Sequence, residues 1–319
     1  MTAFRRRLTS DCNCVDYGMN STTKYSNAVQ VLALCKFAGV QPRLLQALLQ
    51  HFGNLERIIR ADSGKLMVID GMTAEAANKI TKSAKFLEEA QGYHRDLTGR
   101  DITVITRFDA DYPDLLFELN DPPPLLYVRG RLPDKAKKSV ALVGTSKATN
   151  QGIELTVKLT RSFAAASVQV ISSLNKGIGA AAHVGTKTAK GVSFSVLESG
   201  VDQLDPAESV PLAVDIVERG GVISEYPPED KFHEDNHVCA NRLIVGLSQA
   251  VVVTQVYRDS RRTLDLLSCC GQIGKLAYVM IDPRFGALVD KESLSKAVSC
   301  GAIPMVGLDK VDDIIKSLV

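Results

Sequence analysis

The chain of 319 residues contains no tryptophan, and aromatic residues make up only 6% of it. That speaks against binding by extensive stacking of bases on rings, and phosphate contacts should dominate the grip on any nucleic acid. No uninterrupted apolar run approaches the roughly 20 residues that a membrane-spanning helix needs. The opening MTAFRRRLTS carries three arginines with no apolar stretch behind them, so a secretory leader is not expected and a cytoplasmic protein is. Seven cysteines, at 12, 14, 35, 239, 269, 270 and 300, form no C-x-x-C pair, which speaks against a zinc site or a disulfide framework. No Walker phosphate loop occurs. Charge is nearly balanced, with 38 basic and 36 acidic side chains, so only local clustering can mark a polyanion site.

What the chain does contain is organised around 168–185, VQVISSLNKGIGAAAHVG, where an apolar strand breaks into a polar turn and then a small-residue helix starting near Ile178. Gly177 supplies the tight turn, Lys176 a cation, and the helix start its unsatisfied N–H groups, a combination that favours a phosphate. Before it, residues 1–25 lack hydrophobic periodicity and are expected to form a disordered tail. Residues 26–95 carry apolar positions at helical spacing, broken at Gly39, Gly53 and Gly71, which predicts a small bundle of short helices. Within it, LMVIDGMTAEAANKI at 66–80 has the outline of a helix-hairpin-helix and FAGVQPRLL at 37–45 is a weaker echo. Thr73 and Gln41 stand where the second hairpin glycine belongs, so a structural or docking role is expected in place of direct DNA contact.

Residues 96–319 read as one Rossmann-like domain that includes a proline-studded lead-in at 109–130, expected to form neither a continuous helix nor a central strand. Short β-rich runs at 140–143, 169–172, 193–197, 222–225, 250–255 and 276–281 alternate with helical patterns at 150–166, 178–190, 207–219, 239–247 and 263–272. That alternation predicts an α/β fold with a doubly wound, mostly parallel sheet, whose ligand sits outside the carboxyl ends of the strands. The first loop, GTSKATNQG at 144–152, offers Gly144 and Lys147 but is not G-x-G-x-x-G, so NAD has little support. Farther on, Asn241 and Arg242 precede LIVGLS. His183 has no second histidine or cysteine at ligand spacing, and a structural role is expected for it and for Glu225.

DYPDLLFELNDPPPLLYVRG, ALVGTSKATNQG, ISSLNKGIGAAAHVGTK, VLESGVDQLDP, GGVISEYPPED, NRLIVGLS and GAIPMVGLDKVDDII occur in the order found in the DprA (Smf) DNA-processing proteins, and residues 26–319 resemble that family. The resemblance implies binding of single-stranded DNA with little sequence preference, a homodimer formed by the Rossmann domain, and help in loading a RecA-type recombinase during natural transformation. It implies no cofactor and no catalytic step. Carried over residue by residue, the DNA contacts are Gly144, Lys147, Lys176, Gly177, Asn241 and Arg242, with Lys176 and Arg242 foremost. The apolar run 250–253 is a candidate for the dimer surface. Departures are plain: Ser146 replaces the arginine of V-G-[ST]-R, and Ser173, Asn175 and Gly179 replace the Gly, Ala and Asp of S-G-L-A-[RK]-G-I-D. R-N-R becomes Ala240-Asn241-Arg242, and S-G-[ST]-L becomes Ser260-Arg261-Arg262-Thr263. The alternative is a protein that uses the same loops for a nucleotide or another small phosphate ligand.

Overall fold

Alternation along the strands fixes the layers. In β3 (Ser139–Gly144), Val140 and Leu142 face one side of the sheet while Ala141 and Val143 face the other, and in β7 (Ala250–Gln255) the same split separates Ala250 and Val252 from Val251 and Val253. Strands buried on both faces need helices on both, and these are provided. The computed structural model describes residues 24–204, 207–256, 260–282 and 291–318. Besides β3 and β7 its sheet holds β1 (Thr103–Thr106), β2 (Leu125–Gly130), β4 (Gln169–Ser173), β5 (Ser193–Val196), β6 (Gly221–Ser224), β8 (Leu276–Ile281) and β9 (Ile303–Val306). The spatial order is β1-β2-β6-β5-β4-β3-β7-β8-β9. Every pairing from β6 to β9 is parallel, and β1 and β2 extend the sheet antiparallel. The chain winds outward in one direction from β3 through β6 and in the other from β7 through β9, so the switch point lies between β3 and β7.

The expected strands all form, each within one residue of its sequence boundaries. Helices α7 (Asn150–Ala165), α8 (Ile178–Thr188), α9 (Val210–Arg219), α10 (His237–Gly246) and α11 (Arg261–Gln272) fill the crossovers, and α12 (Lys291–Ser299) and α13 (Val311–Ser317) lie near β9 in sequence. The lead-in corrects one expectation. Its prolines end at Pro124, and Leu125–Gly130 then forms β2, hydrogen-bonded to β1 on one side and to β6 on the other. The prolines occupy the approach to the strand and leave the strand itself able to donate.

Ahead of the sheet stand α1 (Asn27–Leu32), α2 (Pro42–Phe52), α3 (Leu55–Ile59), α4 (Ser63–Leu66), α5 (Ala74–Thr81) and α6 (Leu87–Gly99). Between α1 and α2 the chain makes a π-helical turn, Ala33–Phe37, in which the Ala38 N–H donates to Ala33 O at 3.0 Å. Thr73, in the place of the hairpin glycine, caps α5 by accepting the Ala76 N–H at 3.1 Å. Of the expected tail, residues 1–23 lie outside the described residues, whereas Lys24 and Tyr25 are held by Glu88 of α6. The bundle shares a single apolar cluster with the sheet, running from Val29 and Leu32 through Ile80 and Leu97 to Tyr127 and Val222.

Candidate nucleic-acid interface

The loops at the carboxyl ends of β3 and β4 approach so closely that two positions must be glycine. A Cβ on Gly144 would stand 2.8 Å from both Gln255 O and Ile178 Cγ1. Gly177 has φ +78, and its Cβ would lie 2.5 Å from Thr145 O. These glycines let the two loops pack backbone to backbone at the switch point. A cleft of about 930 Å³ opens beside them, walled by the loops that follow β3, β4, β5, β6 and β7.

The cations are concentrated on one side of that cleft. Lys176 is 68% exposed, with the exposed Glu208 at 3.8 Å. Lys147 is exposed and has no ion pair among the described residues, its backbone N–H donating to Thr145 Oγ1 at 3.1 Å. Arg261 is exposed, 3.9 Å from Asp265, and Arg262 donates to Glu198 at 2.9 Å. The other wall, after β6, carries Phe232, Glu234 and Asp235, all exposed. A phosphate chain placed in the cleft would be attracted to the side formed by the β3, β4 and β7 loops and repelled by the carboxylates of the β6 wall. Among the six residues singled out from sequence, Gly144, Lys147, Lys176 and Asn241 line the cleft, and Gly177 shapes it from behind. Asn241 contributes indirectly, since its Nδ2 donates to Arg262 O at 2.8 Å and fixes the start of α11.

Arg242 does not belong to this surface, which corrects the sequence reading. Its side chain is 11% exposed, 3.0 Å from Asp121 and paired with Glu225. Burial works against its charge, but Glu225 and Asp121 outweigh it and hold the guanidinium protonated. Glu225 feels burial first, which pushes it up to about 7 against the pull of Arg242. This buried pair joins α10 to the end of β6. Thr149, in the same loop as Lys147, caps α7 by accepting the Gly152 N–H at 3.0 Å. Sequence reasoning did not single out Glu198 and Phe232 as part of the site. Arg261 and Arg262 were visible only as charges in a loop expected to hold small residues.

The model of the family described as DNA recombination-mediator protein A matches residues 103–285. Protein Smf of Synechocystis is 33% identical over 234 residues, covering 70% of this chain and 57% of that protein. DNA processing protein DprA of Bacillus subtilis is 30% identical over 155 residues, 48% of this chain and 52% of that one. The chain thus spans little more than half the length of these relatives. In three dimensions it resembles DprA from Streptococcus pneumoniae, with TM-score 0.71 at 20% identity over 93% of this chain and 99% of the other. A Helicobacter pylori DprA structure, described by its single-stranded DNA binding mode, matches with TM-score 0.56 at 19% identity over 68% and 94%. With the family's pattern matching more than half of its length, this chain belongs to the DprA/Smf family of DNA recombination mediators.

Proposed function

We propose that the cleft binds single-stranded DNA along its phosphate backbone and that the protein serves DNA recombination in the cytoplasm, without a catalytic step, by passing the strand to a RecA-type recombinase. The observation that carries this reading is the cluster of exposed cations, Lys147, Lys176 and Arg261, at the mouth of an open cleft on the switch point. Phosphate contacts of this kind carry little sequence information. Binding to a dT oligonucleotide should exceed binding to a duplex of equal length, and a mononucleotide should not compete. Lys176→Ala and Arg261→Ala should each make the slope of log affinity against log salt shallower by roughly 0.7, the value for one single-strand phosphate. Saturation by a mononucleotide, or equal binding to duplex, would favour a small phosphate ligand instead.

The homodimer expected of the Rossmann half needs a different surface from the one first considered. Ala250, Val251, Val252 and Val253 are fully buried in β7 between β3 and β8, so no partner reaches them. Exposed apolar side chains instead occur on and beside the edge strand β9, at Val298, Val306 and Leu308. A second copy is the proposed occupant, because family resemblance and an apolar sheet edge point the same way.

A further inference from the structure

The loops after β5 and β6, which form the acidic wall of the cleft, are built as one unit. Ser224 Oγ donates to Ser199 O at 2.6 Å, the Gly200 N–H to Asp230 O at 2.8 Å, and Asn236 Nδ2 to Glu198 O at 2.7 Å. Glu198 in turn receives Arg262 from the opposite wall at 2.9 Å. The helical bundle grips this unit at two points away from the cleft. Lys36 pairs with one oxygen of Glu229, and the Tyr93 hydroxyl donates to the other at 2.9 Å. The Lys36 ammonium also lies 4.5 Å from the centre of the Tyr93 ring. Arg100, at the end of α6, pairs with Asp202, which Arg129 of β2 also binds. Burial pulls the Glu229 carboxyl upward, but Lys36, a backbone N–H and the Tyr93 hydroxyl together hold it below its ordinary value.

A second observation concerns the element that supplies Lys36. It belongs to the π-helical turn, and π turns are rare and recur where a helix is committed to a task beyond its own stability. Phe37, the next residue, packs edge-on against Tyr93 with ring centroids 6.1 Å apart, so the turn fixes both members of the grip.

We propose that the bundle is a positioning device for the cleft: Lys36, Tyr93 and Glu229 set the place of the wall that carries Phe232 to Asn236, and none of the three touches the bound strand. The proposal rests on the single-strand reading of the cleft and adds a role for the helices that precede the sheet. Energetically it is a coupling through packed, hydrogen-bonded elements, in which the grip has to change the wall's freedom and the wall has to change the site.

The absence of tryptophan supplies the test, because Phe232→Trp places a single indole on the wall. In that background Glu229→Ala and Lys36→Met should raise acrylamide quenching of the indole and lower its anisotropy. Glu88→Ala, which releases Lys24 and Tyr25 elsewhere on the bundle, should change neither. With Phe232 intact, Glu229→Ala should weaken binding of a dT oligonucleotide by roughly threefold or more, within the range for residues that act on a site from outside it. The salt slope should stay at the wild-type value, unlike that of Lys176→Ala, because no phosphate contact is lost. Glu229→Gln, which keeps an acceptor for Tyr93, should fall between. An indole as shielded in Glu229→Ala and Lys36→Met as in the parent overturns the grip. A loosened indole with undiminished DNA affinity overturns the positioning role. A loosened indole in a protein whose wild type binds no oligonucleotide overturns the DNA reading while the grip stands.

Discussion

His183 lies on α8 with 1% of its surface exposed, and its Nδ1 meets the Ser193 hydroxyl at 3.0 Å. Burial pushes it down to about 4 from an ordinary 6.5, an interaction with the Ser173 backbone working weakly the other way. Between those two values the unfolded chain takes up a proton that the folded chain refuses. The resulting stability is present above 6.5 and lost as pH falls toward 4, so urea unfolding should show about 2 kcal/mol less stability at pH 5 than at pH 7 from this group alone. His183→Asn should remove that part of the slope; an unchanged slope would place the titration elsewhere. Arg242 is the second residue whose surroundings decide its part. Arg242→Ala leaves the buried Glu225 without its cation and Asp121 with only the exposed Arg43 at 3.8 Å, and a loss of about 3–5 kcal/mol is expected in urea unfolding. Any protein that remains folded should keep the wild-type salt slope, because this guanidinium touches no phosphate.

At the scale of elements, the turn at Gly177 links fold to site. Gly177→Ala must place a side chain at φ +78 and 2.5 Å from Thr145 O, so the loops after β3 and β4 have to part. The expected outcome is a stability loss of more than about 1 kcal/mol together with weaker oligonucleotide binding, read by thermal unfolding and by anisotropy. An alanine variant with wild-type affinity would mean that the junction does not shape the cleft. This turn was legible in the sequence because glycine at a strand-to-helix corner has a backbone cause. So were the parallel strands, whose apolar runs are bounded by helical patterns. The β1–β2 extension was less so: β1 is only four residues long, and the prolines before Leu125 masked a strand that pairs on both sides. Of the candidate site's lining, Lys147 and Lys176 were readable from their place after a strand, and Asn241, inside α10, from the family motif it belongs to. Arg242 was misread because its partners, Asp121 and Glu225, lie 121 and 17 residues away. Nothing in a linear pattern distinguishes an arginine that reaches a buried carboxylate from one that reaches solvent. Glu198 and Phe232 gave no local signal, since only the sheet order brings the loops after β5 and β6 to the same mouth.

For the whole molecule, the edge at β9 sets the expectation for assembly. Val306→Lys should turn a dimer into a monomer in sedimentation equilibrium at micromolar concentration, whereas Val184→Lys, an equally plain change on an exposed face of α8, should not. A wild-type monomer at that concentration would remove the dimer altogether. No helix among the described residues is long and apolar enough to cross a membrane. The antiparallel pairing of β2 with β6 also bears on how the chain is made. Gly130 pairs with Gly221, and the bundle's apolar side is completed by Ile216 and Val222. On a ribosome adding about 5–20 residues each second, the helices emerge on the order of ten seconds before the strand and helix that cover them. Through that interval the apolar side of the nascent bundle, and Tyr127 of β2 that packs with it, wait uncovered, so the molecule's vulnerable moment falls during its own synthesis.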